Sequence, residues 1–232
     1  QVKPTLYPRP LLIAGPSGSG KTEAFRVVKN VFKDYFNVEI VDGTTITQEG
    51  WKGARKLSVL LSSLSNGYIL VIDEFPYLVK KNRALLSELQ HLIDHKLTSG
   101  KLFIILSGSY MGFMEKEVLG SKSPLFGRRT AQLHMKAFGY QTSSKFMTGF
   151  TDEEKLMLYG AYGGTPLYLQ QINEKESFEE NIKRAYLKVT TYLYEEALLL
   201  LRQEVQEPGV YSAINEAIAI GYTKANEIST KI

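Results

Sequence analysis

The chain contains 232 residues, 44% of them hydrophobic and 22% charged, with a formal net charge of +4, which suits one core domain with a smaller appendage. It has no cysteine, which excludes disulfides and thiolate metal sites, and its histidines (His91, His95 and His134) are too scattered to predict a zinc centre. No apolar run approaches the ~20 residues that span a bilayer, and Gln1–Pro10 lacks the apolar core of a signal peptide, so we expect a cytoplasmic protein without a membrane partner.

The first half of the chain alternates short apolar runs with helical periodicity. Leu11–Ala14, for example, is a continuous apolar run, as in a buried parallel strand, and the helix after it should bury Phe25, Val28, Val31 and Phe32 on one face. The predicted strands are 11–14, 38–41, 68–72, 102–106 and 130–135, and the predicted helices are 22–36, 52–64 and 82–97. This order predicts an α/β fold, a parallel five-stranded sheet with flanking helices.

No convincing strand follows Lys136. Thr151 with Glu154, and Ser177 with Glu180, have the spacing of capping boxes that begin helices. The expected helices run from Thr151 to Tyr162, from Pro166 as a short segment, from Ser177 to about Val205, and from Pro208 to Gly221. We therefore expect a core at residues 1–136, a small all-helical lid at 137–207 and a further segment at 208–232.

A glycine-rich motif follows the first predicted strand and begins the first predicted helix. It has the complete pattern G-x-x-x-x-G-K-[ST], formed by Gly15, Pro16, Ser17, Gly18, Ser19, Gly20, Lys21 and Thr22. Phosphates are anionic, so they need converging backbone N–H donors without Cβ atoms in the way, and the helix N-terminus adds its dipole. Lys21 should reach the β- and γ-phosphates, and the Thr22 hydroxyl should coordinate Mg²⁺. The motif predicts a P-loop that binds ATP or ADP with magnesium.

The third predicted strand ends in two acidic residues. Its carboxyl end carries Asp73 and then Glu74, at the edge where α/β sheets bind ligands. Asp73 can hold magnesium directly or through water, and Glu74 is the candidate base that polarises the attacking water. Two acids at a strand end also occur in solvated turns, but the accompanying P-loop favours the catalytic interpretation.

Three further positions are candidates for the nucleotide site. The fourth strand should lie between the P-loop strand and the Asp73 strand, so Ser107 or Ser109 at its end should reach the γ-phosphate or the water; a plain turn is the alternative. Arg128, followed by Arg129, could neutralise charge in the transition state as an arginine finger does, although surface arginine pairs are common.

Residues 11–78 resemble the ATPases of Clp-type unfoldases, a branch of the AAA+ ATPases. The resemblance rests on the P-loop, on Ile72–Phe75 and on residues 41–53, which are similar to the segment before that branch's Gly-aromatic-x-Gly pore loop. It implies that Trp51, the sole tryptophan, is a pore-loop residue on an exposed loop. The alternative from the residue type alone is an aromatic anchor in the core.

Residues 75–232 resemble the archaeal-type ATPases of the STAND group. The similar segments are residues 73–78, 106–109, 123–130 and 162–166, and residues 211–232 are similar to the beginning of a winged-helix region. The resemblance implies that Gly164–Pro166 packs the lid near the nucleotide, with Pro166 as a contact, although a Gly-Thr-Pro sequence also begins ordinary helices. In AAA+ relatives, an arginine at the position of Arg128 faces the nucleotide of a neighbouring subunit, which implies a homo-oligomer.

Several functional classes fit these motifs. The leading hypothesis is an AAA+-like ATPase whose hydrolysis of Mg-ATP drives a conformational change. A STAND-type switch that binds ATP and turns it over slowly is the second, and a small-molecule kinase is disfavoured by the Asp73–Glu74 pair and the helical lid. The C-terminal segment adds a DNA or protein client as a candidate partner.

Overall fold

The computed structural model describes residues 10–64, 67–95, 102–118, 120–205 and 207–231. The chain divides into two compact units, Gln1–Ala137 and Phe138–Ile232. No helix in these described ranges is both long and apolar enough to cross a membrane.

The first unit is built on a five-stranded sheet. Its strands are β1 (Leu11–Ala14), β2 (Asn37–Asp42), β3 (Tyr68–Asp73), β4 (Leu102–Gly108) and β5 (Ala131–His134). They lie in the order β2-β3-β4-β1-β5, and every pairing is parallel. The prediction of five parallel strands is confirmed, as is the position of β4 between β1 and β3. The carboxyl ends of β1, β3 and β4 therefore meet at one edge of the sheet.

Helices cover both faces of the sheet. They are α1 (Lys21–Phe32), α2 (Gly43–Gln48), α3 (Trp51–Ser63), α4 (Phe75–Lys81), α5 (Ala84–His95) and α6 (Met111–Phe113), and a π-helical turn follows at Met114–Val118. The side chains of β3 show why its sequence is apolar throughout: Leu70 and Ile72 enter one core cluster, while Ile69 and Val71 enter the other. A strand buried on both faces needs apolar side chains on both.

Two predictions for the first unit were wrong. Helices α2 and α4 were not predicted, because they are only 6 and 7 residues long, which is too short for a repeated helical pattern to be recognised. On α1, Phe25 is fully buried, but Val31 and Phe32 are exposed. The predicted end of α5 at residues 96–97 lies outside the described residues.

The second unit is helical. It contains α7 (Tyr140–Ser143) with a 3-10 turn (Ser144–Phe146), α8 (Asp152–Tyr162), α9 (Pro166–Leu169), α10 (Phe178–Tyr186), α11 (Tyr192–Glu204), α12 (Pro208–Ala219) and α13 (Ala225–Lys231). Both predicted capping boxes are present, at Thr151 with Glu154 and at Ser177 with Glu180. The long helix predicted to reach Val205 is instead two helices, α10 and α11, and α13 was not predicted.

Candidate functional site

The P-loop connects β1 to α1 at the carboxyl edge of the sheet. Gly18 and Gly20 have positive φ angles of 72° and 90°, a conformation that side chains with a Cβ rarely adopt. Ser19 is 2% exposed, and its hydroxyl oxygen is buried without a hydrogen-bond partner among the described residues. A buried polar atom without a partner costs free energy unless a ligand satisfies it, so this loop fits an anionic ligand.

Lys21 is buried inside the loop. Its ammonium group donates hydrogen bonds to the carbonyl oxygens of Gly15 at 2.8 Å and Pro16 at 3.0 Å. Burial lowers the pKa of Lys21, while the nearby carboxylates of Glu74 and Asp73 oppose that shift. An ammonium group that is partly desolvated and close to two carboxylates gains electrostatically from an added phosphate.

Asp73 accepts hydrogen bonds from three directions. The Thr22 hydroxyl donates to Oδ2 at 2.7 Å, and Oδ1 accepts from the Ser107 hydroxyl and from the backbone N–H of Glu74 at 3.0 Å. These contacts join the P-loop, β3 and β4, as the order of the strands requires. Because the Thr22 proton points to Asp73, the lone pairs of the Thr22 oxygen stay available to a metal ion.

Glu74 has a strained backbone, and its side chain is held by hydrogen bonds. Its φ of 48° makes it the one non-glycine residue with positive φ in the described ranges. Its Oε2 accepts the Ser109 hydroxyl at 2.8 Å and the Ser109 backbone N–H at 3.3 Å, whereas Oε1 accepts no hydrogen bond from the described residues. Strain of this kind costs about 1–3 kcal/mol and concentrates at functional sites.

Gly43 is a contributor that the sequence analysis missed. A Cβ at this position would lie 2.5 Å from the carbonyl oxygen of Glu74 and 3.0 Å from that of Asp73. Any side chain would therefore displace the backbone that carries both acids. The available signal was an Asp-Gly pair directly after a strand that is adjacent to β3.

Arg128 lies in an internal ion pair. Its Nε donates to Asp94 at 2.8 Å and its Nη1 to the carbonyl oxygen of Pro124 at 3.0 Å, and the hydrogen bond from Arg128 lowers the pKa of Asp94. Arg129 is exposed and forms no ion pair within the described ranges. The role of Arg128 opposite a neighbouring nucleotide stays a prediction, and it requires this ion pair to open.

Pro166 belongs to the second unit. It is the first residue of α9, with Thr165 before it, as the sequence predicted. Gly164 packs directly against the backbone of Phe138, whose N–H donates to the Gly164 carbonyl oxygen at 2.8 Å. This geometry explains why the segment needs glycine at position 164. A contact between Pro166 and nucleotide stays a prediction.

Trp51 fits neither expectation fully. The residue is 70% exposed, so the core anchor is wrong. It is the first residue of α3, and Gly50, with φ of 61°, connects α2 to α3 directly. Gly53 lies inside α3 against the carbonyl oxygen of Ile46. The Gly-Trp-Lys-Gly sequence therefore forms a corner between two helices rather than a loop.

The residues at this edge fit a magnesium–nucleotide complex. Thr22 and Asp73 are the candidate magnesium residues, and no group of three or more His, Cys, Asp or Glu side chains forms a metal site elsewhere in the described ranges. Magnesium with nucleotide usually takes one or two protein ligands and completes its octahedron with phosphate oxygens and water. Two protein groups are therefore enough.

Comparison with known proteins identifies the family of the chain. The model of a family described as an ATPase domain predominantly from Archaea matches residues 44–172, which include the segment around Trp51. An uncharacterized protein of Methanocaldococcus jannaschii is 36% identical over 160 residues, which cover 69% of this chain and 36% of that relative's length. The chain thus spans well under two thirds of this relative.

Three solved structures share the fold. A Walker-type ATPase of Pyrococcus abyssi has a TM-score of 0.64 at 21% identity, covering 96% of this chain and 78% of its own. A RuvB variant of Thermotoga maritima has a TM-score of 0.57 at 18% identity, covering 95% and 76%. Domain III of the replication initiation protein DnaA from the same organism has a TM-score of 0.52 at 18% identity, covering 88% and 81%. These similarities establish the P-loop ATPase fold.

Proposed function

Because this chain belongs to the family of ATPase domains found predominantly in Archaea, we propose that it binds ATP with magnesium, hydrolyses it and couples hydrolysis to a conformational change. One observation carries the proposal: two acids at the end of β3 are held by residues from two other segments, Asp73 by Thr22 and Ser107, and Glu74 by Ser109. Structural acids at a surface turn do not need partners that are distant in sequence.

The P-loop binds the phosphates. The backbone N–H groups of the P-loop residues other than Pro16 and the N-terminus of α1 surround the β-phosphate, and the Ser19 hydroxyl gains the partner that it otherwise lacks. Lys21 moves from the carbonyls of Gly15 and Pro16 to the phosphate oxygens. Magnesium, when bound, neutralises charge on the β- and γ-phosphate oxygens. Thr22 and Asp73 would hold it, Asp73 directly or through water, and Asp73 orients the Thr22 hydroxyl.

Glu74 acts as the base. Ser109 occupies Oε2, so Oε1 is the oxygen that accepts a proton from the attacking water. Two constraints fix the carboxylate: the left-handed backbone of Glu74, and Gly43 packed below it. A base held in this way needs little reorganisation when the water attacks.

Two substitutions separate binding from hydrolysis. Lys21→Ala should abolish most ATP binding, and Glu74→Gln should keep ATP binding while turnover falls by about 10²–10⁴. Glu39→Gln, an exposed residue on β2, is the matched control and should behave as wild type. Binding is measured with a fluorescent ATP analogue and turnover by phosphate release. Full turnover by Glu74→Gln would overturn the assignment of the base.

A nucleotide-gated switch with low turnover is the second candidate. The engagement of Arg128 by Asp94 favours it, because an arginine held within its own chain does not reach another subunit's nucleotide. Turnover measured against protein concentration distinguishes the two candidates. An assembling homo-oligomer should gain specific activity with concentration, whereas a switch should stay slow throughout.

We also propose that the segment from Pro208 contacts a DNA or protein client. The apolar residues of α12 differ in exposure: Ala217 is buried, whereas Tyr211 and Ile218 are exposed. Val210 and Ile220 add to the exposed apolar surface. Exposed apolar residues in such a cluster are typical of interaction surfaces.

A further inference from the structure

A groove in the first unit lies between helices α3, α4 and α5. Its volume is about 510 Å³, and its lining includes four leucines, Leu57, Leu61, Leu78 and Leu85. All four are buried, so they form a fixed apolar floor. This volume falls within the range of ligand-binding clefts, and the floor excludes a strongly polar occupant.

The rim of this α3–α5 groove is aromatic and cationic. Trp51, Arg55 and Lys81 line it and are exposed. Arg55 and Lys81 form no ion pair within the described ranges, unlike the neighbouring Lys56, which pairs with Glu49. Tryptophan and arginine beside an apolar pocket are the residues that dominate protein–protein binding energies.

A second concavity continues this surface beyond Trp51. It has a volume of about 630 Å³ and shares Trp51 and Arg55 with the α3–α5 groove, and Val59 and Lys52 also line it. Val59 is 61% exposed on α3. The exposed ridge of α3 therefore presents apolar and cationic groups on both sides, which matches an elongated partner better than a small molecule.

From these features we infer that the α3–α5 groove docks an acidic amphipathic helix of a protein partner, with apolar side chains on the leucine floor and carboxylates facing Arg55 and Lys81. A helix of this kind offers apolar residues at spacings of three and four, which fit a groove between helices. Nucleic acid is the weaker match, because an apolar floor offers no hydrogen-bonding partner to base edges.

Trp51 reports on the groove directly, because it is the sole tryptophan. A random peptide library displayed on phage is selected on the wild-type protein alone, and the double variant Arg55→Glu/Lys81→Glu is kept for the binding measurements. Recovered peptides are synthesised, and their binding is followed by the emission of Trp51 and its quenching by iodide. None of these readouts depends on ATP hydrolysis.

The expected peptides carry apolar residues at helical spacing together with Asp or Glu. They should shift Trp51 emission to the blue, shield it from iodide and bind the double variant roughly tenfold more weakly. Lys122→Glu, an exposed charge reversal remote in sequence, is the matched control and should bind normally. Ser58→Tyr, which fills the groove from an exposed position of α3, should also abolish binding.

Three outcomes would overturn the inference. The library could yield no peptide that shifts Trp51 emission, or only peptides that bind the double variant as well as wild type. Alternatively, oligothymidylate could shield Trp51 with a steep salt dependence that the double variant loses, which would assign the surface to single-stranded nucleic acid.

Discussion

Buried polar groups at the carboxyl edge of the sheet leave part of their hydrogen-bonding capacity unused, whereas those in the helical unit use it fully. At the edge, Lys21 donates two hydrogen bonds of a capacity of three, and the Ser19 hydroxyl has no partner among the described residues. In the helical unit, Asn181 is fully buried, and its amide NH₂ donates to the carbonyls of Asn173, Glu176 and Ser177. Its carbonyl oxygen accepts from the Asn173 N–H and from Arg184.

This difference separates groups that can bind a ligand from groups that stabilise the fold. Groups with spare bonding capacity are available to a ligand, and the strained backbone of Glu74 lies among them. A group such as Asn181, whose hydrogen-bonding capacity is fully used (a saturated group), cannot also bind a ligand. It instead joins α10 to the turn before it. Substitutions at the edge should therefore change binding or turnover, and substitutions at saturated groups should change stability.

Arg128 gives the largest test of this comparison, because its guanidinium is held by Asp94 and Pro124 and must leave Asp94 to act on a neighbour. If it acts on a neighbour's nucleotide, Arg128→Ala should reduce turnover by about 10³–10⁵, the range of known arginine fingers. Mixing Arg128→Ala with Lys21→Ala should restore part of the activity, because the Lys21→Ala subunit supplies its arginine to an intact P-loop.

Arg129→Ala is the matched control for Arg128, since Arg129 is adjacent, exposed and without an ion pair in the described ranges. It should keep full turnover. A mixture that stays inactive while both variants assemble would show that Arg128 acts within its own chain or only binds Asp94. Loss of activity in Arg129→Ala alone would move the role to that residue.

Asn181 gives the second test, for groups whose hydrogen-bonding capacity is fully used. Asn181→Ala leaves three carbonyls without their side-chain donor in a buried site, so the free energy of unfolding should fall by about 2–4 kcal/mol. Nucleotide affinity of the folded protein should not change. Urea unfolding followed by circular dichroism measures the loss.

Asn226→Ala is the control, because Asn226 is exposed on α13 and its side chain forms no hydrogen bond in the described ranges. Its effect should stay within about 0.5 kcal/mol. If Asn181→Ala weakened ATP binding without lowering stability, the division between saturated and available groups would not hold.

The sequence predicted the P-loop and the two acids at the carboxyl edge of the sheet better than it predicted the tertiary contacts, for a physical reason. Phosphate binding requires a fixed local pattern, so residues 15–22 were recognisable, and a buried strand that ends in Asp73 and Glu74 is equally local. Contacts of Arg128 with Asp94 and of Gly43 with Glu74 depend on tertiary packing across 30 or more positions, which no local pattern encodes. The break between α10 and α11 contains neither glycine nor proline, and its β-branched residues Val189, Thr190 and Thr191 are only a weak helix-breaking signal.

Ser109 gives the smallest and sharpest test, because it binds Glu74 whereas Ser107 binds Asp73. Its hydroxyl holds Oε2 of Glu74 at 2.8 Å, and its backbone N–H adds a weaker bond at 3.3 Å that a substitution would retain. Ser109→Ala should therefore reduce kcat by about tenfold, the equivalent of one hydrogen bond to a charged group, and leave KM for ATP and thermal stability unchanged. Ser109→Thr keeps the hydroxyl and should restore most of the activity, which a purely structural role would not predict.

Ser107→Ala should act through Asp73 instead and raise the magnesium concentration required for turnover. Stopped-flow phosphate release at saturating ATP, repeated across a magnesium titration, measures both effects. Equal kcat for Ser109→Ala and wild type would show that Glu74 keeps its position without this serine.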